Sequence, residues 1–135
     1  MPATLLRSST QSTRVVGLID SSSIAINANT TDIGTLVLTQ NTAFANPSGS
    51  PVDGQKLQIR ITSSLVRAIS FGSAYQASGN LSLPTATTGG GVEDYLTFSY
   101  NSVDSKWDLR DTTTTASSSS SGISEELAIA YSVVL

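Results

Sequence analysis

The chain has no histidine and no cysteine, a single tryptophan and a single methionine, and charged residues fill only 13% of its 135 positions. Each shortage removes a class of chemistry. Without imidazole there is no Ser-His-Asp proton relay. Without thiols there is no cysteine nucleophile and no disulfide, and zinc loses its two commonest ligands. Seven Lys and Arg against ten Asp and Glu leave a net charge of −3. The cations are scattered, so no basic face is available to neutralise a phosphate backbone, and no nucleic-acid partner is expected. No stretch reaches the roughly 20 apolar residues of a membrane helix. The opening Met1-Pro-Ala-Thr-Leu-Leu-Arg7 lacks the sustained apolar run of a signal peptide. No membrane partner is expected, and the chain reads as soluble.

What is abundant is hydroxyl. Serine and threonine make up about three residues in ten, and their side chains compete for backbone groups, which favours strands and turns over helix interiors. The spacing of apolar residues agrees. After the turn formers Asn46 to Pro51 and Asp53-Gly54, Leu57, Ile59 and Ile61 alternate with Lys56, Gln58, Arg60 and Thr62. Side chains point to opposite faces along a strand, so this is a half-buried strand whose outer side meets water or a partner. Leu36 and Leu38 oppose Val37 in the same way, and Ile69 shares a face with Phe71. Leu96, Phe98 and Tyr100 alternate up to the tip Asn101 to Ser105, and Trp107 and Leu109 alternate on the return, which predicts a hairpin with Trp107 as a core anchor.

Three more segments complete the reading. Residues 1 to 14 have no period of either kind and read as an N-terminal arm or a frayed terminus. Leu81-Ser-Leu83, stopped by Pro84, reads as a short edge strand. The low-complexity run over 112–121 has nothing apolar to bury and reads as a mobile loop or tether. Beyond it, Leu127, Ile129, Tyr131, Val133 and Leu135 share one face of a final strand. The expected fold is therefore all-β: an arm over 1–14, then a single domain over 15–135 built as a jelly-roll-like β-sandwich of about eight strands. An immunoglobulin-like sandwich is the alternative. No repeat of solenoid length is visible.

Carboxylates are the remaining catalytic candidates: Glu93-Asp94, the group Asp104, Asp108 and Asp111, and Glu125-Glu126. A carboxyl that works as a general acid needs burial or a like-charged neighbour to lift its pKa. These sit at expected turns and strand ends, where water reaches them. The aspartate spacing matches no EF-hand loop, and Gly89-Gly90-Gly91 lacks the lysine and the strand-to-helix setting of a phosphate loop. No catalytic residue, metal ligand or cofactor is assigned.

From Asn46 to Arg110 the order "NPSGSPVDGQKLQIRI", "RAISF", "LSLP" and "YNSVDSKWDL" resembles a structural β module of tailed-bacteriophage virion proteins. The resemblance implies a non-enzymatic part of a fibre, baseplate or capsid surface that works as an oligomer. The short chain then suggests a capsid cement or decoration protein on the outer capsid surface of the virion, binding and stabilising the major capsid protein shell and associating with its own copies as a homotrimer. A tail-fibre or baseplate glycan-binding module is the alternative, with Tyr75, Tyr95 and Tyr100 and the loops over 85–91 and 112–121 shaping a sugar site. The expected partner contacts are Leu5, Leu6, Arg7 and Arg14 in the arm and Arg60, Arg67 and Arg110 on outward strand faces.

Overall fold

The computed structural model describes residues 12 to 114. Among them are nine strands and no helix: β1 (Val15–Gly17), β2 (Ser23–Ile24), β3 (Ile33–Val37), β4 (Thr42–Phe44), β5 (Lys56–Thr62), β6 (Ile69–Phe71), β7 (Tyr75–Gln76), β8 (Glu93–Asn101) and β9 (Lys106–Thr114). The two-residue rhythm is obeyed where it was clearest. Leu57, Ile59 and Ile61 are buried while Lys56 is exposed and Gln58, Arg60 and Thr62 stay half-buried, and β8 repeats the alternation through Leu96 and Phe98.

The strands form a six-stranded sheet in the order β1-β3-β5-β8-β9-β7 and a three-stranded sheet in the order β2-β4-β6. From β1 to β6 the chain crosses from one sheet to the other with every strand. β1, β3 and β5 pair in parallel in the large sheet, and β2, β4 and β6 pair in parallel in the small one. The chain thus makes three stacked windings. Parallel neighbours need a long crossover, and here the crossover is the visit to the opposite sheet. The last part turns antiparallel: β8 pairs with β5, β9 returns along β8, and β7 adds to the far side of β9 in parallel.

An all-β protein of two sheets over a common core is what the alternation predicts. The strand directions differ from the expectation, because jelly rolls and immunoglobulin sandwiches are built from antiparallel strands. Period two is the same in either direction, so alternation carries no information on it. The windings also went unseen as a repeat for a physical reason. Val15 stacks on Ile33 and Ile33 on Gln58, and the second step is longer because it carries the loop between β4 and β5, so no fixed period is written in the sequence.

Stacking windings align like with like. Ile24, Phe44 and Phe71 lie in register across the small sheet, with Phe44 and Phe71 stacked at 5.2 Å between ring centroids. Tyr75 and Phe98 of the large sheet meet this ladder edge-on and join the two sheets. Trp107 is 2% exposed and packs edge-to-face on Tyr100 at 5.1 Å, the anchor its neighbours predicted. Burial of each large aliphatic or aromatic side chain contributes roughly 1.5–3 kcal/mol.

Several boundaries need correction. Leu81 to Leu83 is no edge strand: Ser78 and Leu81 close a tight turn through paired backbone bonds, and both leucines pack on the core from a loop. The expected loop over 112–121 begins as strand, since Thr112, Thr113 and Thr114 pair with Leu96, Tyr95 and Asp94. Threonine is a strong strand former when a partner edge is present. The rest of that loop, the final strand at 127–135 and residues 1–11 of the arm lie outside the described residues. Arg14, placed in the arm from sequence, is tied to the body.

Candidate functional site

Of the seven residues expected to contact partners, the four that are described do not form one cluster. Leu5, Leu6 and Arg7 lie outside the described residues. Arg14 is committed internally: its Nη2 and Nε donate to the Asp32 carboxylate at 2.8 and 3.1 Å, its backbone N–H donates to the same group at 2.8 Å, and Nη1 donates to the Asn29 carbonyl. Hydrogen bonds from Arg14 hold the Asp32 carboxyl below the usual range. Arg60, expected to be hydrated or to reach a neighbouring subunit, instead lies over the Tyr95 ring at 5.5 Å and donates through Nε to Gln58 Oε1 at 2.9 Å. Arg67 is half-buried, with a buried Nε that has no partner among the described residues. Among the four described, only Arg110 stands on an exposed strand position without an ion-pair partner, touching Ser78 Oγ at 3.5 Å.

The structure brings forward two other surfaces. The first is the open end of the windings. Among the described residues β1 is one edge of the large sheet and β2 one edge of the small sheet, and both belong to the first winding. The Arg14 carbonyl accepts from Asp32 and Ile33, and the Leu18 N–H donates to Thr35 at 2.7 Å. Hydrogen-bonding groups alternate sides along a strand, so those of Val15 and Gly17 point away from β3. In the small sheet the Ser22, Ile24 and Ile26 carbonyls accept from the second winding, which turns the groups of Ser23 and Ala25 outward. Between the two edges runs a mainly apolar trough of about 440 Å³, lined by Val16, Leu18, Ile19 and Ala25 and also by Ser21, Ser23, Asn27 and Thr30. Val15 and Ile19 are exposed beside it at 57% and 82%. At the opposite end the small sheet is covered: Ile69 donates to Thr85 and Thr87 donates to Arg67 along the outside of β6.

The second surface is the outer face of the large sheet near the hairpin. In one row across four strands Lys56 opposes Ser99, Ser99 opposes Asp108, and Asp108 opposes Gln76. A β-bulge interrupts the next row. Thr97 pairs with Asp111 and Phe98 with Leu109, so Arg110 is the extra residue. A groove of about 470 Å³ follows, lined by Lys56, Thr97, Ser99, Tyr100, Asp108 and Arg110, with Asp53 at its rim. The Asp108 carboxylate is held by Gln76 Nε2 at 2.6 Å and Asn101 Nδ2 at 3.3 Å. The Asp53 carboxylate accepts the Ser102 N–H at 3.0 Å.

The carboxylates are not all at wet turns. Asp94 is buried, and its oxygens accept the Thr88 N–H at 2.8 Å and the Thr88 hydroxyl at 2.5 Å, which pins the glycine-rich loop to β8. Alternation places residue 94 inward, opposite Ile61, and that was the readable signal. Glu93 accepts the Tyr95 hydroxyl at 2.9 Å, a bond that raises the Tyr95 pKa. Among the described residues no group of three Asp or Glu is gathered closely enough to hold a metal ion. The tyrosines expected to shape a sugar site are also dispersed. Tyr75 is 3% exposed in the core, Tyr95 is covered by Arg60, and Tyr100 alone reaches a groove. Tyr75 lies on a strand of only two residues, too short for alternation to assign it a face. The open end was missed because strand edges are a property of pairing order, and Lys56 because its row is assembled from four separate segments.

A scan against protein-family models, a search of curated proteins and a search of solved structures each gave no match for this chain.

Proposed function

We propose that the chain is a non-enzymatic structural protein of a phage virion, a capsid cement or decoration protein that binds the major capsid protein and copies of itself on the outer surface of the shell. The observation that carries this reading is the open end of the windings. An edge strand that is neither paired, charged nor covered is a template for another chain, and among the described residues no strand pairs beyond β1 or β2, which flank a mainly apolar trough on the same side. Strand addition supplies main-chain hydrogen bonds, and the trough supplies pockets for alternate side chains. The other end of the small sheet is covered by 85–87, so adhesion is directed to one pole of the molecule.

A cement protein has to hold on in many copies. Interfaces of roughly 800 Å² per partner, multiplied by simultaneous contacts, reach lasting attachment without a catalytic or cofactor site. The phage setting comes from the resemblance over 46–110, which spans β5 to β8 and most of β9 up to Arg110. Cryo-electron microscopy of intact particles tests the proposal. Many copies distributed over the shell, with the first winding facing a coat subunit or a second copy, are expected. A few copies confined to the tail would transfer the chain to a fibre or baseplate and overturn the cement assignment.

A further inference from the structure

We infer that the groove on the outer face of β5, β8 and β9 is a binding site for an acidic saccharide, a sugar carrying one carboxylate and several hydroxyls. This goes beyond the structural role proposed above and stands or falls independently of it, because the groove lies on the sheet face and away from the open end.

The argument begins with what the floor offers. Ser99 and Thr97 point outward from neighbouring turns of the same pleat, and Tyr100 enters from the end of β8. Hydroxyls both donate and accept, which suits a ligand whose own surface is hydroxyl. The walls carry charge of both signs in an asymmetric state. Asp108 is satisfied by Gln76 and Asn101. Asp53 has one oxygen engaged by Ser102, leaving the other to accept a ligand hydroxyl. Lys56 and Arg110 have no ion-pair partner among the described residues, where the one ion pair is Arg14 with Asp32. The groove therefore has cationic donors to spend and only partial acceptor capacity.

Lys56 and Arg110 stand on strands separated by β8, the strands lying two inter-strand spacings or about 10 Å apart, with Arg110 two residues along β9 from the row of Lys56. A pyranose ring can lie on Ser99 and Thr97 between them, with its carboxylate on the Arg110 fork and its hydroxyls toward Lys56 and Asp53. The bulge is the second observation. It inserts Arg110 into β9 with no residue opposite it, and bulges re-aim a side chain away from the regular ladder. Arg110 then lines the groove. The volume of about 470 Å³ falls within the range of roughly 300–1,000 Å³ common for small-ligand sites, and the polar lining excludes an apolar occupant. A free phosphate fits less well, since a dianion would face Asp53 and Asp108 together.

The test is titration of the full chain, by calorimetry and by saturation-transfer NMR, with N-acetylneuraminic acid, glucuronic acid, glucose, lactose and inorganic phosphate. Binding of the two acidic sugars, with neutral sugars and phosphate at least about tenfold weaker, is expected. Arg110→Gln and Lys56→Gln each lower the affinity about tenfold, and added salt weakens it further. Both side chains are at the surface, so circular dichroism and the melting curve should not change, and the Arg60→Gln variant, outside the groove, should bind as the parent does. Equal binding of glucose, stronger binding of phosphate, undiminished binding by Arg110→Gln, or no binding by any probe would each overturn the assignment.

Discussion

The Leu18 side chain occupies the space that a β-carbon on Gly34 would need, with its Cδ1 only 2.8 Å from that position. Leu18 follows β1 and Gly34 is buried in β3, so this pair locks the first winding onto the second. Gly34→Ala should destabilise the protein by about 1 kcal/mol, the low end for overpacking, because the Leu18 methyl in the way is the end of a side chain that can turn aside. Leu18→Ala in the same chain should return part of that loss, giving a favourable coupling in a double-mutant cycle read by urea denaturation. Gly17→Ala is the control, since nothing lies within 4 Å of its added carbon, and its effect should remain within about 0.5 kcal/mol. Additive effects of the Gly34 and Leu18 changes would show that the two do not share this space.

Tyr75 is buried to 3% exposure, and its hydroxyl has no partner among the described residues. An unpaired buried hydroxyl costs stability that its ring packing on Phe71 and Phe98 must offset. Tyr75→Phe retains both ring contacts and should stabilise by about 1 kcal/mol, visible as a higher Tm. The pH dependence has a definite sign. Burial pushes the Tyr75 phenol upward, so its contribution is complete below the unfolded value of about 10 and is lost as pH rises past it. The phenylalanine variant should therefore resist alkaline unfolding better than the parent.

Much of this core was legible because buried and exposed residues alternate in long strands. Leu57, Ile59, Ile61, Leu96, Phe98, Trp107 and Leu109 were all placed inward by period alone, and the hairpin tip was marked by residues that bond their own backbone. Direction, pairing order and short strands were not legible. Nothing in "VVG" or "SI" distinguishes a parallel edge from an antiparallel one, and the partners of β1 and β2 lie a whole winding later at unequal distances. The groove suffers from the same non-locality. Lys56, Ser99, Asp108 and Gln76 become neighbours only after four strands are ordered side by side, and Arg110, outward by alternation, meets them at a bulge that leaves no residue opposite it.

The fork between Arg14 and Asp32 gives a second pH signature, at the acid end. The Asp32 carboxyl is held below its ordinary value, so its contribution is complete above the unfolded pKa of about 3.9 and fades as pH falls through the folded one. Hydrogen-exchange protection at Asp32 and Ile33, whose amides bond the Arg14 carbonyl, should hold at pH 5 and fall below about pH 4 before the core amides of β5 respond. Asp32→Asn should give the low-pH pattern at every pH. Because both side chains are partly exposed, added salt should narrow the difference. Simultaneous loss of protection in β1 and β5 would show that the first winding does not open separately.

Ser63 and Thr87 form a buried polar pair. Ser63 Oγ donates to Thr87 Oγ1 at 2.8 Å, and the Arg67 N–H donates to the same oxygen at 2.9 Å. Thr87→Val preserves shape but strands two donors, so a loss of about 1–3 kcal/mol is expected in chemical denaturation. Thr87→Ser keeps the oxygen and should lose about 1 kcal/mol or less. Equal losses would mean that the methyl group, and not the hydroxyl, holds the 85–87 segment against β6.

If the open end is the adhesive pole, charge placed on it should abolish attachment while sparing the fold. Val15 and Ile19 are 57% and 82% exposed, so Val15→Lys and Ile19→Lys remove little burial and should each change stability by no more than about 0.5 kcal/mol. Lysine on an edge strand blocks the approach of a second strand, because the approaching chain would have to desolvate the ammonium group. In sedimentation of the double variant mixed with undecorated capsids, the protein should remain in the supernatant, and light scattering should report fewer associated copies than in the parent. Removal of residues 1–13 is the companion experiment. It spares Arg14 and its fork onto Asp32, so the melting curve should be retained while particle binding weakens. A lysine variant that pellets with capsids as the parent does would move the adhesive surface away from the first winding, and the covered face along β6 would then have to be opened and tested in its place.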